Sequence, residues 1–337
     1  MKNSLVVNRI EQSISSFNNN SLIIRYVLAI LVFYSHMLSI YGLPEPTLFW
    51  GKHSLGWYAV NGFFFISGLL VAQSYHNRGL FSYFAARFLR IMPAYLLSLI
   101  VVLLAVFFFS DIQFNIKWVV KFLKFLFQNI IPLDSADVSM EGVWMNTAQP
   151  NALNNSLWTI PFEIFCYIII IPLFLSNNRF TPKFLLLFII IVLIYLNLLE
   201  AISFNHISLD LLRVIIYFII GVTLYISIKE KRINIYFLFS CLILFVFEGN
   251  FKETLLGYVI ILSILYLGFY VKSIIKTPND YSYGLYIYAW PISQSVKGMG
   301  IENINHGLFV AFIILLIISW FSWKYLEKPS LKLKNKI

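Results

Sequence analysis

Ten stretches of this chain are apolar and close to the length that crosses a lipid bilayer. They lie at 22–41, 57–76, 89–110, 156–176, 183–200, 209–228, 234–249, 253–271, 281–298 and 306–325. A segment in lipid has no water to satisfy its backbone, so a run of about 20 apolar residues is read as a helix. Of the 337 residues, 60% are hydrophobic and 12% charged, which excludes an ordinary soluble domain. The expected fold class is all-α: a polytopic membrane protein of about ten transmembrane helices. Residues 1–337 form one membrane domain. Residues 1–21 make a polar N-terminus with no apolar signal-peptide core, 111–155 a structured loop, and 326–337 a basic tail. Within the loop, Lys117, Lys121 and Lys124 recur at helical spacing, so 114–131 reads as an amphipathic helix on the membrane surface. Cys166 and Cys241 fall inside apolar runs and read as small buried side chains.

Charge orients the spans. With the N-terminus in the cytoplasm, seventeen of the 25 lysines and arginines fall on cytoplasmic segments and six on the outside; Arg25 and Arg213 lie within spans. That bias predicts N-in/C-in topology. It also explains the net charge of +10 by anchoring at an anionic membrane face, without any nucleic acid.

Topology gives the ionisable residues a depth. Arg25 and His36 are eleven residues apart in span one, about three turns, so they share a helix face about 16 Å apart. An ionisable group inside a span is costly and is a functional hypothesis by default. His36 lies roughly 21 Å from the cytoplasmic end of its helix, and Glu163, on the antiparallel span four, roughly 10 Å from the outer end. The two can meet at one depth, the carboxylate then orienting the imidazole as a general base, or each can be satisfied separately by backbone or water. Arg87 and Arg90 share a helix face at the cytoplasmic surface and suit a polyphosphate, although positive-inside anchoring explains such a pair as well.

Three polar patches surround these groups. Asn61 and Ser67 lie beside Gly68 in span two, where small residues usually serve helix packing. Asn154-Asn-Ser156-Leu-Trp158-Thr159 sits at the mouth of span four, where Trp158 offers a sugar-stacking ring or an interfacial anchor. Tyr286, Pro291 and Gln294 lie in span nine, where the proline can open the backbone toward a site.

These motifs together resemble the acyltransferase-3 family of integral membrane acyltransferases. Arg25-x10-His36 resembles its first-helix signature, Gly62-Phe-Phe-Phe-Ile-Ser67-Gly68 its second-helix stretch, and Arg87-x-x-Arg90-x-x-Pro93 its cytoplasmic motif. Ser156-Leu-Trp158-Thr-Ile-Pro-Phe-Glu163, Ser282-Tyr-Gly-Leu-Tyr286 with Trp290-Pro291, and Tyr325-Leu-Glu327-Lys-Pro329 follow in the family's order. Each motif is weak alone; six in order are specific. Ala289 stands where the family often has histidine, a variant similar to that of the bacterial polysaccharide O-acetyltransferase branch. The soluble esterase-like domain that some members carry after the membrane part is not expected here.

The resemblance implies an inner-membrane O-acetyltransferase using acetyl-CoA as acyl donor, with no metal. The acceptor is a surface glycan such as O-antigen, capsule or exopolysaccharide, or its lipid-linked precursor. Catalysis falls to His36, Glu163 and Arg25, donor binding to Arg87, Arg90 and Arg25, and acceptor binding to Asn61, Ser67, Trp158, Tyr286 and Gln294. With no serine or cysteine clearly placed as a nucleophile, direct transfer is expected. Membrane lipid, a second copy of the chain or the surface-polysaccharide assembly machinery are allowed partners. A glycan or lipid-linked sugar exporter without acyl chemistry is the rival class, and a receptor or scaffold a weaker third.

Overall fold

The computed structural model describes residues 2–16, 19–77, 79–109, 116–131, 139–171, 207–231, 235–273 and 279–333. Among these, six helices are long and apolar enough to cross a membrane: Ser21–Ile40, Leu55–His76, Leu80–Phe109, Asp210–Lys229, Phe251–Tyr270 and Ile304–Leu333. The expected span at 183–200 lies outside the described residues, as does the rest of 172–206. The run at 234–249 folds as a shorter helix, and the run at 281–298 as two short helices. The architecture is therefore helical and multi-pass, with fewer full-length spans among the described residues than the ten expected.

The chain divides into two compact units. The first comprises residues 1–21, 60–83 and 162–276. It contains α1 (Lys2–Ser16), most of α3 (Leu55–His76), most of α6 (Ile160–Ile169), α7 (Ile207–Lys229), α8 (Ile235–Glu248) and α9 (Phe251–Leu265). The polar N-terminus is thus a helix. Its Glu11 pairs with Lys229 at 3.5 Å, and the Ile14 carbonyl accepts from Gln73 at 2.8 Å. The middle of α7, Val214 to Val222, is buried on all sides, as its unbroken apolar sequence requires. Its contact with α3 is backbone on backbone. A Cβ on Gly68 would collide with the Phe218 carbonyl, and one on Gly221 with the Phe65 carbonyl. Arg213 is buried in this helix and satisfied in part by Asp210, one turn earlier, at 2.8 Å.

The second unit comprises residues 22–59, 84–161 and 277–337. It holds nearly all of α2 (Ser21–Ile40), the bulk of α4 (Leu80–Phe109), and α5 (Ile116–Asn129). It also holds a 3₁₀ turn (Asn155–Thr159), α10 (Ser282–Ile287), α11 (Ala289–Gly298), α12 (Ile304–Ser322) and α13 (Lys328–Leu333). The surface helix α5 is three-sided. Trp118, Phe122 and Phe125 are buried, Lys117, Lys121 and Lys124 form an exposed flank, and Val119, Val120, Leu123 and Phe127 leave an apolar face outward. The basic tail continues as helix to Leu333, entered through a π-helical segment, Trp323–Glu327.

The break between α10 and α11 has a covalent cause. Pro291 lacks the N–H that would bond to the Ile287 carbonyl four residues back. That carbonyl accepts instead from Asn154 Nδ2 at 3.0 Å. The proline that interrupts the helix thereby attaches it to the loop before α6.

Candidate active site

Helix α2 carries both His36 and Arg25, and each lies in its own cluster within the second unit. His36 is half-buried. Its Nε2 is 3.4 Å from Ser156 Oγ, and the edge of its ring meets Trp290 with centroids 4.9 Å apart. Ser156 is held by Asn154, whose Oδ1 accepts from the Ser156 backbone N–H at 3.0 Å. Asn154 thus binds two backbones at once, one on each side of its amide.

Three of the expected acceptor residues, Trp158, Tyr286 and Gln294, lie in this same unit. Trp290 Nε1 donates to the Ala152 carbonyl at 3.0 Å, and Gln294 Nε2 to the Gln149 carbonyl at 2.7 Å. Gln149 Nε2 in turn donates to Ser39 Oγ, one turn beyond His36, at 3.0 Å. Tyr286 shares a 2.8 Å hydrogen bond with Thr159. Trp158 is half-buried in the same 3₁₀ turn. Loop 149–159 is therefore stitched to α10 and α11 by side chains that bond backbone, and to α2 by contacts between side chains.

Arg25 occupies the second cluster, three turns away on the same helix. Its Nη2 donates to Asp280 Oδ2 at 2.8 Å, and Arg90 Nη2 donates to the same oxygen at 2.6 Å. Arg90 Nη1 lies 3.7 Å from Glu327 Oε2, and its guanidinium sits over the rings of Tyr283 and Trp323. Ser322 Oγ donates to Glu327 Oε1 at 2.9 Å and shares a 2.8 Å bond with the Tyr288 hydroxyl. Ser282 gives Asp280 Oδ1 two more donors. Burial pushes the Asp280 carboxyl up, but Arg25 and Arg90 outweigh it and hold the group well below the usual carboxylate range. Arg87 lies half-buried one turn before Arg90 on α4.

Glu163, Asn61 and Ser67 belong to the first unit. Glu163 accepts the hydroxyl of Tyr167, one turn later. Asn61 is fully buried, and its amide finds no hydrogen-bond partner among the described residues. Ser67 is half-buried beside the Gly68 contact.

Sequence reasoning missed Asp280 and Gln149, and named Asn154 without giving it a role. Asp280 carried one signal: it is a lone carboxylate at the end of a span, where two arginines of other spans needed a partner. Ser156 and Glu327 stood inside quoted motifs without a role.

A family model described as an acyltransferase domain matches residues 19–251. The chain is 28% identical over 328 residues to an O-acetyl transferase of Shigella phage Sf6, an alignment covering 90% of this chain and 93% of that protein. No solved structure matches.

Proposed function

The chain belongs to the acyltransferase-3 family and is a multi-pass membrane acyltransferase, and from that premise we propose that it is an O-acetyltransferase acting on a surface glycan. The acyl donor is acetyl-CoA, reached from the cytoplasmic face of a bacterial inner membrane with both chain ends inside. The acceptor is a hydroxyl of O-antigen, capsule or exopolysaccharide, or of a lipid-linked precursor. The observation that carries this reading is a single helix, α2, with a half-buried histidine at one station and an arginine cluster three turns away.

In this mechanism a ring nitrogen of His36 takes the proton of the sugar hydroxyl. The oxygen attacks the thioester carbonyl, the carbon–sulfur bond breaks, and the departing thiolate takes the proton back from the imidazolium. The supporting carboxylate in this reading is Glu163. Arg25, Arg87 and Arg90 receive the donor. Trp158, Tyr286 and Gln294 line the acceptor side, and the buried amide of Asn61 and the hydroxyl of Ser67 offer polar contacts to the acceptor. The break at Tyr288 is of a kind that carriers use, but membership of an acyltransferase family favours chemistry over export.

Mass spectrometry of the surface glycan with and without the gene tests this directly. The expected result is a loss of one acetyl mass per modified repeat. An unchanged glycan, or full modification by a His36→Ala chain, overturns the proposal.

A further inference from the structure

The two arginines expected to hold phosphate are already charge-matched. One oxygen of Asp280 accepts from both guanidiniums, and its other oxygen is fixed by the hydroxyl and N–H of Ser282. Arg90 has a second carboxylate, Glu327, beside it. Arg25, Arg90, Asp280 and Glu327 thus sum to a formal charge of zero. Without Asp280 the guanidiniums would repel each other and separate.

The arginines come from different helices, α2 and α4, and Asp280 comes from the segment before α10. That segment is itself anchored. Tyr26, one residue after Arg25, donates to the Asn279 carbonyl at 2.8 Å, and its oxygen accepts from the Tyr281 N–H at 3.1 Å. Asp280 therefore fixes both distance and orientation between two side chains that would otherwise be long and mobile. The Arg25 side chain remains 24% exposed, and its Nε has no hydrogen-bond partner among the described residues. A guanidinium has five N–H donors, and Asp280 takes one of those on Arg25.

We infer that Asp280 is a positioning residue for acyl transfer, holding Arg25 and Arg90 as a charge-compensated pair in which the other N–H groups of Arg25 bind a neutral amide carbonyl of the donor's pantetheine arm rather than its phosphates. The inference rests on acetyl-CoA being the donor. Contact at a non-reacting part of the donor holds its reacting end in place, so losing it lowers kcat and not only affinity. Asp280 touches neither substrate; it acts through the arginines.

Kinetics of purified Asp280→Asn and Asp280→Glu chains in detergent or vesicles, with acetyl-CoA as the varied substrate, provide the test. Adenosine 3′,5′-bisphosphate, the phosphate half of the donor, serves as a competing probe. The expected result for Asp280→Asn is a kcat lower by about 100-fold, the scale of a misplaced catalytic geometry, with KM for acetyl-CoA changed less than about threefold. The bisphosphate should bind more tightly, because the variant pair carries a net positive charge. Asp280→Glu should regain part of kcat. A KM raised tenfold at unchanged kcat would assign the pair to the phosphates and overturn the inference. So would wild-type kinetics, or a fall in thermal stability with kcat per folded molecule intact. A parent chain that transfers no acetyl group from acetyl-CoA overturns the donor reading as well; an active parent beside an unaffected variant overturns this inference alone.

Discussion

At the scale of single residues, chemistry and support separate clearly. His36→Ala should lower acetyl transfer by about 100-fold or more, the usual contribution of a general base; acetylation of the glycan by membranes carrying each variant measures it. Glu163→Gln should lower it less, since the base remains. Asp280 also makes a prediction about acid. Its folded-state carboxyl lies below its ordinary value, so the stability it contributes is present above the usual carboxylate range and is lost as pH falls through the folded value. Thermal unfolding of the parent should therefore show no pH dependence from this group between pH 5 and 8. Below about pH 4, the model-compound range, the parent should lose stability that Asp280→Asn does not. Arg25 and His36 were legible because helical periodicity joins them within one span. Asp280 was not, because its partners are 255 and 190 positions away in the chain and no local pattern links them.

At the scale of elements, backbone contacts decide. Gly68 and Gly221 each face a carbonyl of the opposite helix, so an added methyl must push α3 and α7 apart. Gly68→Ala or Gly221→Ala should cost about 1–3 kcal/mol or more, the range of overpacked interiors; the unfolding midpoint in detergent measures it. In Gly62-Phe-Phe-Phe-Ile-Ser67-Gly68, Gly68 takes the packing role expected of a small residue in a span. Pro291→Ala restores an N–H that competes with Asn154 for the Ile287 carbonyl. The expected outcome is a straighter α10–α11 and weaker acetyl transfer at unchanged expression. The kink was foreseeable from the proline, but its partner was not, because nothing in the sequence ties position 154 to position 287.

At the scale of the whole molecule, hydropathy identified the class, and six of the ten expected runs form full-length spanning helices among the described residues. Periods and apolar lengths are local properties. Whether a run such as 281–298 crosses as one helix or as two depends on which carbonyls find other donors, a tertiary matter. Charge bias predicts both ends in the cytoplasm. Single cysteines introduced as Val6→Cys and Lys332→Cys should resist a membrane-impermeant thiol reagent in intact spheroplasts and react after lysis; labelling of either in intact cells refutes that topology.

The π-helical segment Trp323–Glu327 has a consequence for chain length rather than chemistry. A π turn amounts to an α-helix carrying one surplus residue. Removing any one residue between Trp323 and Leu326 would let α12 run on regularly, turning everything after it by about 100° and drawing it back about 1.5 Å. Glu327 would then leave Arg90 and Ser322 together, and Asn279 would lose Lys328. Lineages of this protein can exchange side chains here, but they cannot gain or lose a single codon without moving the last carboxylate out of the cluster.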